Sequence, residues 1–168
     1  MIPSIARTGA AALAVATVAA LAPGADAAQG KTLRFWSHQT SFVTRGADGA
    51  VVAQGTQPAV GMSFMSTDDD HVGDHATHHK KIGATDHISC TFTHVNLATG
   101  MLVALCDGQI ALPGGMLLMD HVTVDLSAKT LVFKLTGGTG KYDHLKSGTA
   151  KSTAYSSKTA DTNLVISL

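Results

Sequence analysis

Residues 88–112, ISCTFTHVNLATGMLVALCDGQIAL, decide the fold. Two stretches rich in β-branched and apolar residues flank the turn signal Asn96-Leu97-Ala98-Thr99-Gly100, so Ile88–Leu97 and Met101–Leu112 read as a β-hairpin. The second arm is apolar on both parities. Leu102, Ala104, Cys106 and Ile110 share one face; Met101, Val103 and Leu105 share the other. A half-buried strand would alternate apolar with polar. One face of this arm can fill a barrel interior, and the other then needs cover, most simply from a neighbouring subunit. A strand at the centre of a two-layer sandwich is the alternative.

The same grammar runs outward from the hairpin. Thr32–Thr44 is β-rich, Arg45–Gly49 turns, and Ala50–Gln54 resumes. Val60–Met65 is short and apolar. Pro113-Gly114-Gly115 turns the chain into Met116–Leu126, and Ser127-Ala128-Lys129 leads into Thr130–Thr136. Gly148–Ser156 and Thr162–Leu168 close the chain. About eight short, regularly spaced strands indicate an all-β sandwich or barrel. The chain has no Glu, a residue favoured on surface helices, and shows no amphipathic helix of normal length. Between Ser66 and Lys81 lies a polar stretch without apolar periodicity, expected to be one long polar loop.

The N-terminus reads as a secretory leader over residues 1–27: Arg7, an uncharged apolar run from Gly9 to Ala22, a Pro23-Gly24 break, and small residues at Ala25 and Ala27. The run is too short to span a bilayer, and no later segment is long enough. Ala28–Leu168 is then a single secreted domain of ordinary size. Lys plus Arg and Asp plus Glu each number 12, which leaves no basic excess for nucleic acid or an anionic membrane. Export permits a disulfide between Cys90 and Cys106. A hairpin centred on Ala98 sets the two opposite each other, whereas a shift of two residues in the turn separates them diagonally.

Leu135-Thr136-Gly137-Gly138-Thr139-Gly140-Lys141-Tyr142, followed by Gly148-Thr149-Ala150, resembles the glycine signature shared by allene oxide cyclases and plant dirigent proteins. Leu33-Arg34-Phe35-Trp36-Ser37-His38-Gln39 is similar to the first dirigent strand, and Lys80-Lys81-Ile82-Gly83 followed by Cys90 is similar to a cyclase stretch. The resemblance spans about Lys31 to Leu168. It implies an eight-stranded antiparallel β-barrel with a central apolar cavity, a homotrimer, and cofactor-free steering of a small apolar molecule through cyclisation or isomerisation. Three glycines in four residues leave a strand sharply, which suits that fold. A phosphate-binding loop is excluded, because its first glycine would fall on Leu135, Tyr142 replaces the hydroxyl residue after Lys141, and no helix follows.

The resemblance also points to residues. The inward carboxylate and amide of the first strand align with Ser37 and Gln39, so the family's acid is missing there. Residues two apart share a strand face, which sends Phe35, Ser37, Gln39 and Ser41 inward and Trp36 and His38 outward. Gln39 remains able to orient a water or a carbonyl oxygen. On the later strand Asp86, Ile88, Cys90, Phe92 and His94 share a face, and the cyclase match turns Cys90 inward. Gln39, Cys90 and Asp86 are therefore the catalytic candidates; Phe35, Ser37, Ile88, Phe92 and His94 are the substrate-lining ones. Taken singly, Cys90 also reads as a core residue or half-cystine, His94 as a rim residue and Asp86 as solvated.

Four Asp and four His fall within residues 68–79. His71, His75, His78 and His79 could ligate a divalent metal, the one cofactor the sequence leaves room for, although no established metal motif is present. A plain solvated loop accounts for the same composition. Three functions follow from the sequence: a cofactor-free cyclase or isomerase, a non-enzymatic carrier using the same cavity, and an exported metal binder.

Overall fold

The computed structural model describes residues 30–77, 80–155 and 159–168; the expected leader and His78 and His79 lie outside the described residues. Nine strands form one sheet. They are β1 (Thr32–Arg45), β2 (Ser63–Val72), β3 (Ile82–Asn96), β4 (Met101–Leu112), β5 (Gly115–Asp125), β6 (Thr130–Leu135), β7 (Gly137–Gly138), β8 (Gly148–Ala154) and β9 (Thr162–Ser167). Their order is β6-β8-β9-β1-β2-β3-β4-β5-β7, antiparallel at every pairing. β6 and β7 are parts of one segment broken only at Thr136. The first part pairs with β8 and the second with β5, so this segment brings the two edges of the sheet together into a nearly closed barrel. Counting β6 and β7 as one strand recovers the eight-stranded expectation.

The glycine signature makes that closure. A Cβ on Gly138 would lie 2.4 Å from the Tyr142 carbonyl oxygen, and one on Gly140 2.2 Å from that of Gly114. Gly140 also has φ +60°, a backbone state that side chains disfavour. Backbone therefore packs directly on backbone where β7 meets the β4–β5 turn.

One core fills the interior, with Ile110, Leu117, Leu135 and Ile166 fully buried at its heart. Cys90 and Cys106 are cross-strand partners joined by a disulfide inside this core. The hairpin turn is Leu97–Gly100, with Asn96 paired to Met101, a half-residue off the centre at Ala98. An irregularity between Phe92 and His94 absorbs one residue at Thr93 and returns the cysteines to direct opposition.

Two expectations are corrected. Ser66–Val72 is not loop but most of β2, and the connection to β3 begins only at Gly73. Period-two order is present there, yet both faces are polar. Ser66, Asp68 and Asp70 point inward while Thr67, Asp69 and His71 point outward, so no hydrophobic contrast betrays a strand. Ala50–Gln54 forms no strand; a single bridge joins Arg45 to Val51.

Candidate functional site

The polar wall is built by three neighbouring strands in register. Gln39 on β1 pairs with Asp68 on β2, which pairs with Asp86 on β3; one step deeper, Ser37 pairs with Asp70. All five project into the barrel. The Gln39 amide donates to Ser66 Oγ at 3.0 Å, and Ser66 Oγ donates to Asp68 Oδ1 at 2.8 Å. The Ser37 hydroxyl donates to Asp70 Oδ1. Asp70 is fully buried, and its Oδ2 has no hydrogen-bond partner.

Above this wall is a cavity of about 170 Å³. Gln39, Ser66, Asp68 and Asp86 line one side. Apolar groups line the rest, including Ile88, Ile110, Met119 and Phe133, while Phe42, Phe64 and Leu131 lie toward the ends of their strands and Leu126 just past β5. A cavity of roughly 150 Å³ lined by aliphatic groups accommodates a benzene ring. This one takes a compact, mostly apolar molecule.

Burial sets the electrostatics. Loss of solvent raises all three carboxyls above the ordinary range. For Asp68, desolvation outweighs the Ser66 hydrogen bond and the nearby His38. For Asp70 it outweighs the Ser37 hydrogen bond, and the Asp68 and Asp69 charges add to it. For Asp86 desolvation is reinforced by the Asp70 and Asp68 charges. Asp70, raised to about 7, and Asp86, raised to about 9, can donate protons near neutral pH.

The remaining candidates separate. Ile88 lines the cavity with Gln39 and Asp86. Phe35 and Ser37 point inward as expected but are buried below the cavity rather than on its wall. Phe92 is half-buried against the Phe64 ring, 5.7 Å between centroids. Cys90 is bonded to Cys106 and carries no thiol, so a nucleophilic role for it falls away. His94 does not share the inward face of Cys90. The Thr93 irregularity pairs it with Val103 and turns it into solvent. The same device at Thr40 turns Ser41 outward and brings Phe42 to the cavity.

His71 and His75 sit on the outer face. Both rings pack on Trp36, at 5.0 and 5.8 Å between centroids, and His75 stacks on Tyr155. Among the described residues neither belongs to a set of converging metal ligands. Among the described residues, the set that does converge is Asp107, Asp120 and His121, exposed on the outer face where β5 carries an irregularity opposite Asp107.

Sequence reasoning missed Asp68, Asp70 and Ser66. The available signal was the pair of carboxyls two apart, in phase with Ser66 and Phe64, immediately before the Asp86 strand.

Fold and site together define an antiparallel β-barrel with an acid-walled apolar cavity. Among solved structures, a protein described as pyocyanin demethylase matches with a TM-score of 0.57 at 18% identity, covering 81% of this chain and 98% of that one. This likeness shows a shared barrel fold. No family model matches the chain, and no curated protein does. Among the described residues no helix is long and apolar enough to cross a membrane.

Proposed function

We propose that this protein is an exported barrel of the allene oxide cyclase and dirigent type that binds a small, largely apolar molecule and steers its isomerisation or cyclisation without a cofactor. The carrying observation is the cavity: apolar on most sides, with the Gln39–Ser66–Asp68 chain and Asp86 on the remaining wall. Asp86, neutral when the cavity is empty, gives its proton to a heteroatom of the bound molecule. The carboxylate left behind takes a proton from a carbon of the same molecule. The two transfers sum to an isomerisation, consume nothing and restore Asp86. Gln39 and Ser66 hold Asp68 beside it. The glycine signature supports the family, and the structural neighbour's name, a demethylase of pyocyanin, supports a small-molecule substrate.

The resemblance also supports a homotrimer. Val103 and Leu105, on the outward parity of β4 and only half-buried, fit a subunit contact there. Intact mass of the secreted protein tests processing after Ala27, and light scattering tests the trimer.

Native mass spectrometry of protein secreted by its own host tests the central reading. A co-purifying small organic molecule is expected, released by blocking the cavity with Ala150→Trp. Conversion of that molecule by wild type but not by Asp86→Asn identifies an enzyme. Binding without conversion identifies a carrier. Retention of the molecule by the blocked variant refutes the cavity.

A further inference from the structure

We infer that the acid end of the cavity is a subsite for a nitrogen cation, so that the ligand is a compact apolar molecule bearing one basic or permanently cationic nitrogen. This rests on the cavity reading above and names the chemistry of its occupant.

The argument starts from what is missing. Asp68, Asp70 and Asp86 crowd onto adjacent strands inside the barrel, and among the described residues no Lys, Arg or His lines the cavity. Among the described residues, the strands flanking the cluster supply no cation either. β1 presents Ser37 and Gln39, and β4 presents Ile110 opposite Asp86. The basic group that acts on the cluster is His38, which lies on the outer face of β1 and is paired to Asp161 at 2.7 Å. Asp161 and Asp69 add negative charge around Asp68.

Asp70 supplies an independent sign. Its carboxyl has no exposed surface and lies beneath the cavity rather than on its wall, one oxygen is held by Ser37, and the other has no hydrogen-bond partner. Unsatisfied buried oxygens are costly, and like charges on neighbouring residues add to the cost. A neutral oxygen-bearing ligand accepts one hydrogen bond from one acid and leaves the rest of the crowding in place. A nitrogen cation lowers the energy of all three carboxyls at once. The apolar walls hold the remainder of the molecule, with Phe42 and Phe64, stacked on each other at 5.6 Å, among the lining residues. A weak base entering neutral takes the Asp86 proton on nitrogen and becomes the cation in place. A permanent cation displaces that proton to solvent.

Three bicyclic probes of similar size separate the alternatives by calorimetry at pH 7.5: N-methylquinolinium, neutral 2-naphthol and anionic 1-naphthoate. A charge-assisted contact in a desolvated site predicts at least about tenfold tighter binding of the quinolinium than of 2-naphthol. Titration in two buffers of different ionisation enthalpy is expected to show proton release with the quinolinium and none with 2-naphthol. Affinity for the quinolinium rises as pH increases from 6 to 8.5. Asp86→Asn and Asp68→Asn each remove most of its advantage while leaving 2-naphthol within about threefold of wild type. Should either variant not fold, proton release by wild type decides alone. Equal or better binding of 2-naphthol, or quinolinium binding without proton release, overturns the cation subsite and leaves the apolar cavity standing. Failure of all three probes to bind overturns both.

Discussion

Replacing Asp86 by Asn is expected to stabilise the protein, increasingly so as pH rises. Burial first, then the charges of Asp70 and Asp68, raise the Asp86 carboxyl from 3.8 to about 9. In the unfolded chain it titrates near 4. Below that value both states hold the proton and the residue costs nothing. Above it the unfolded chain releases its proton while the folded one keeps it, so stability is lost steadily until pH passes the folded value. At about 1.4 kcal/mol per unit, Asp86 alone would cost about 4 kcal/mol at pH 7. Asp70 is raised by the same burial to about 7, and the carboxyls share one wall. Removing one therefore relieves only part of that cost at neutral pH. Asn keeps the shape and never ionises. Urea titrations of wild type and Asp86→Asn should give nearly equal stabilities at pH 4 and a gap that widens to pH 9. A gap that stays constant with pH, or an Asn variant less stable at pH 8.5, refutes the account of the acid wall.

Other perturbations test the frame around it. Cys90→Ala with Cys106→Ala opens a link spanning 16 residues and should cost about 3 kcal/mol, roughly 10 °C in Tm, by melting of the oxidised protein. Unreduced, unfolded wild type should take up no alkylating reagent; labelling at Cys90 would return it to the reactive candidates. Gln39→Leu removes the donor to Ser66 but keeps the volume, and should weaken binding of the co-purified molecule about fivefold by titration while Tm shifts by only a few degrees. Gly138→Ala places a methyl 2.4 Å from the Tyr142 carbonyl oxygen and should destabilise the barrel by about 2 kcal/mol in denaturant titration.

What the sequence determined by itself is what local chemistry controls. The hairpin at Asn96–Gly100, the turn at Pro113–Gly114 and the break at Gly137–Gly140 announce themselves through turn residues, and the apolar runs between them announce strands. That Ser37 shares a face with Gln39, and Asp86 with Ile88, follows from period-two geometry, while the inward sense of those faces came from the family resemblance. Single-residue irregularities were invisible, because an added residue at Thr40 or Thr93 leaves no compositional mark yet reverses every face beyond it. That is why Ser41 and His94 turned out and Phe42 came in. The same device returned Cys90 to Cys106, so the disulfide depended on pairing register rather than on spacing about the turn. The acid wall was the least legible part. Asp68 and Asp70 lie in a segment whose composition belongs to a loop, and aspartate disfavours strands. Only pairing on both sides, with β1 and β3, holds that segment extended and carries its carboxyls out of water, and that burial is what turns ordinary surface acids into a site.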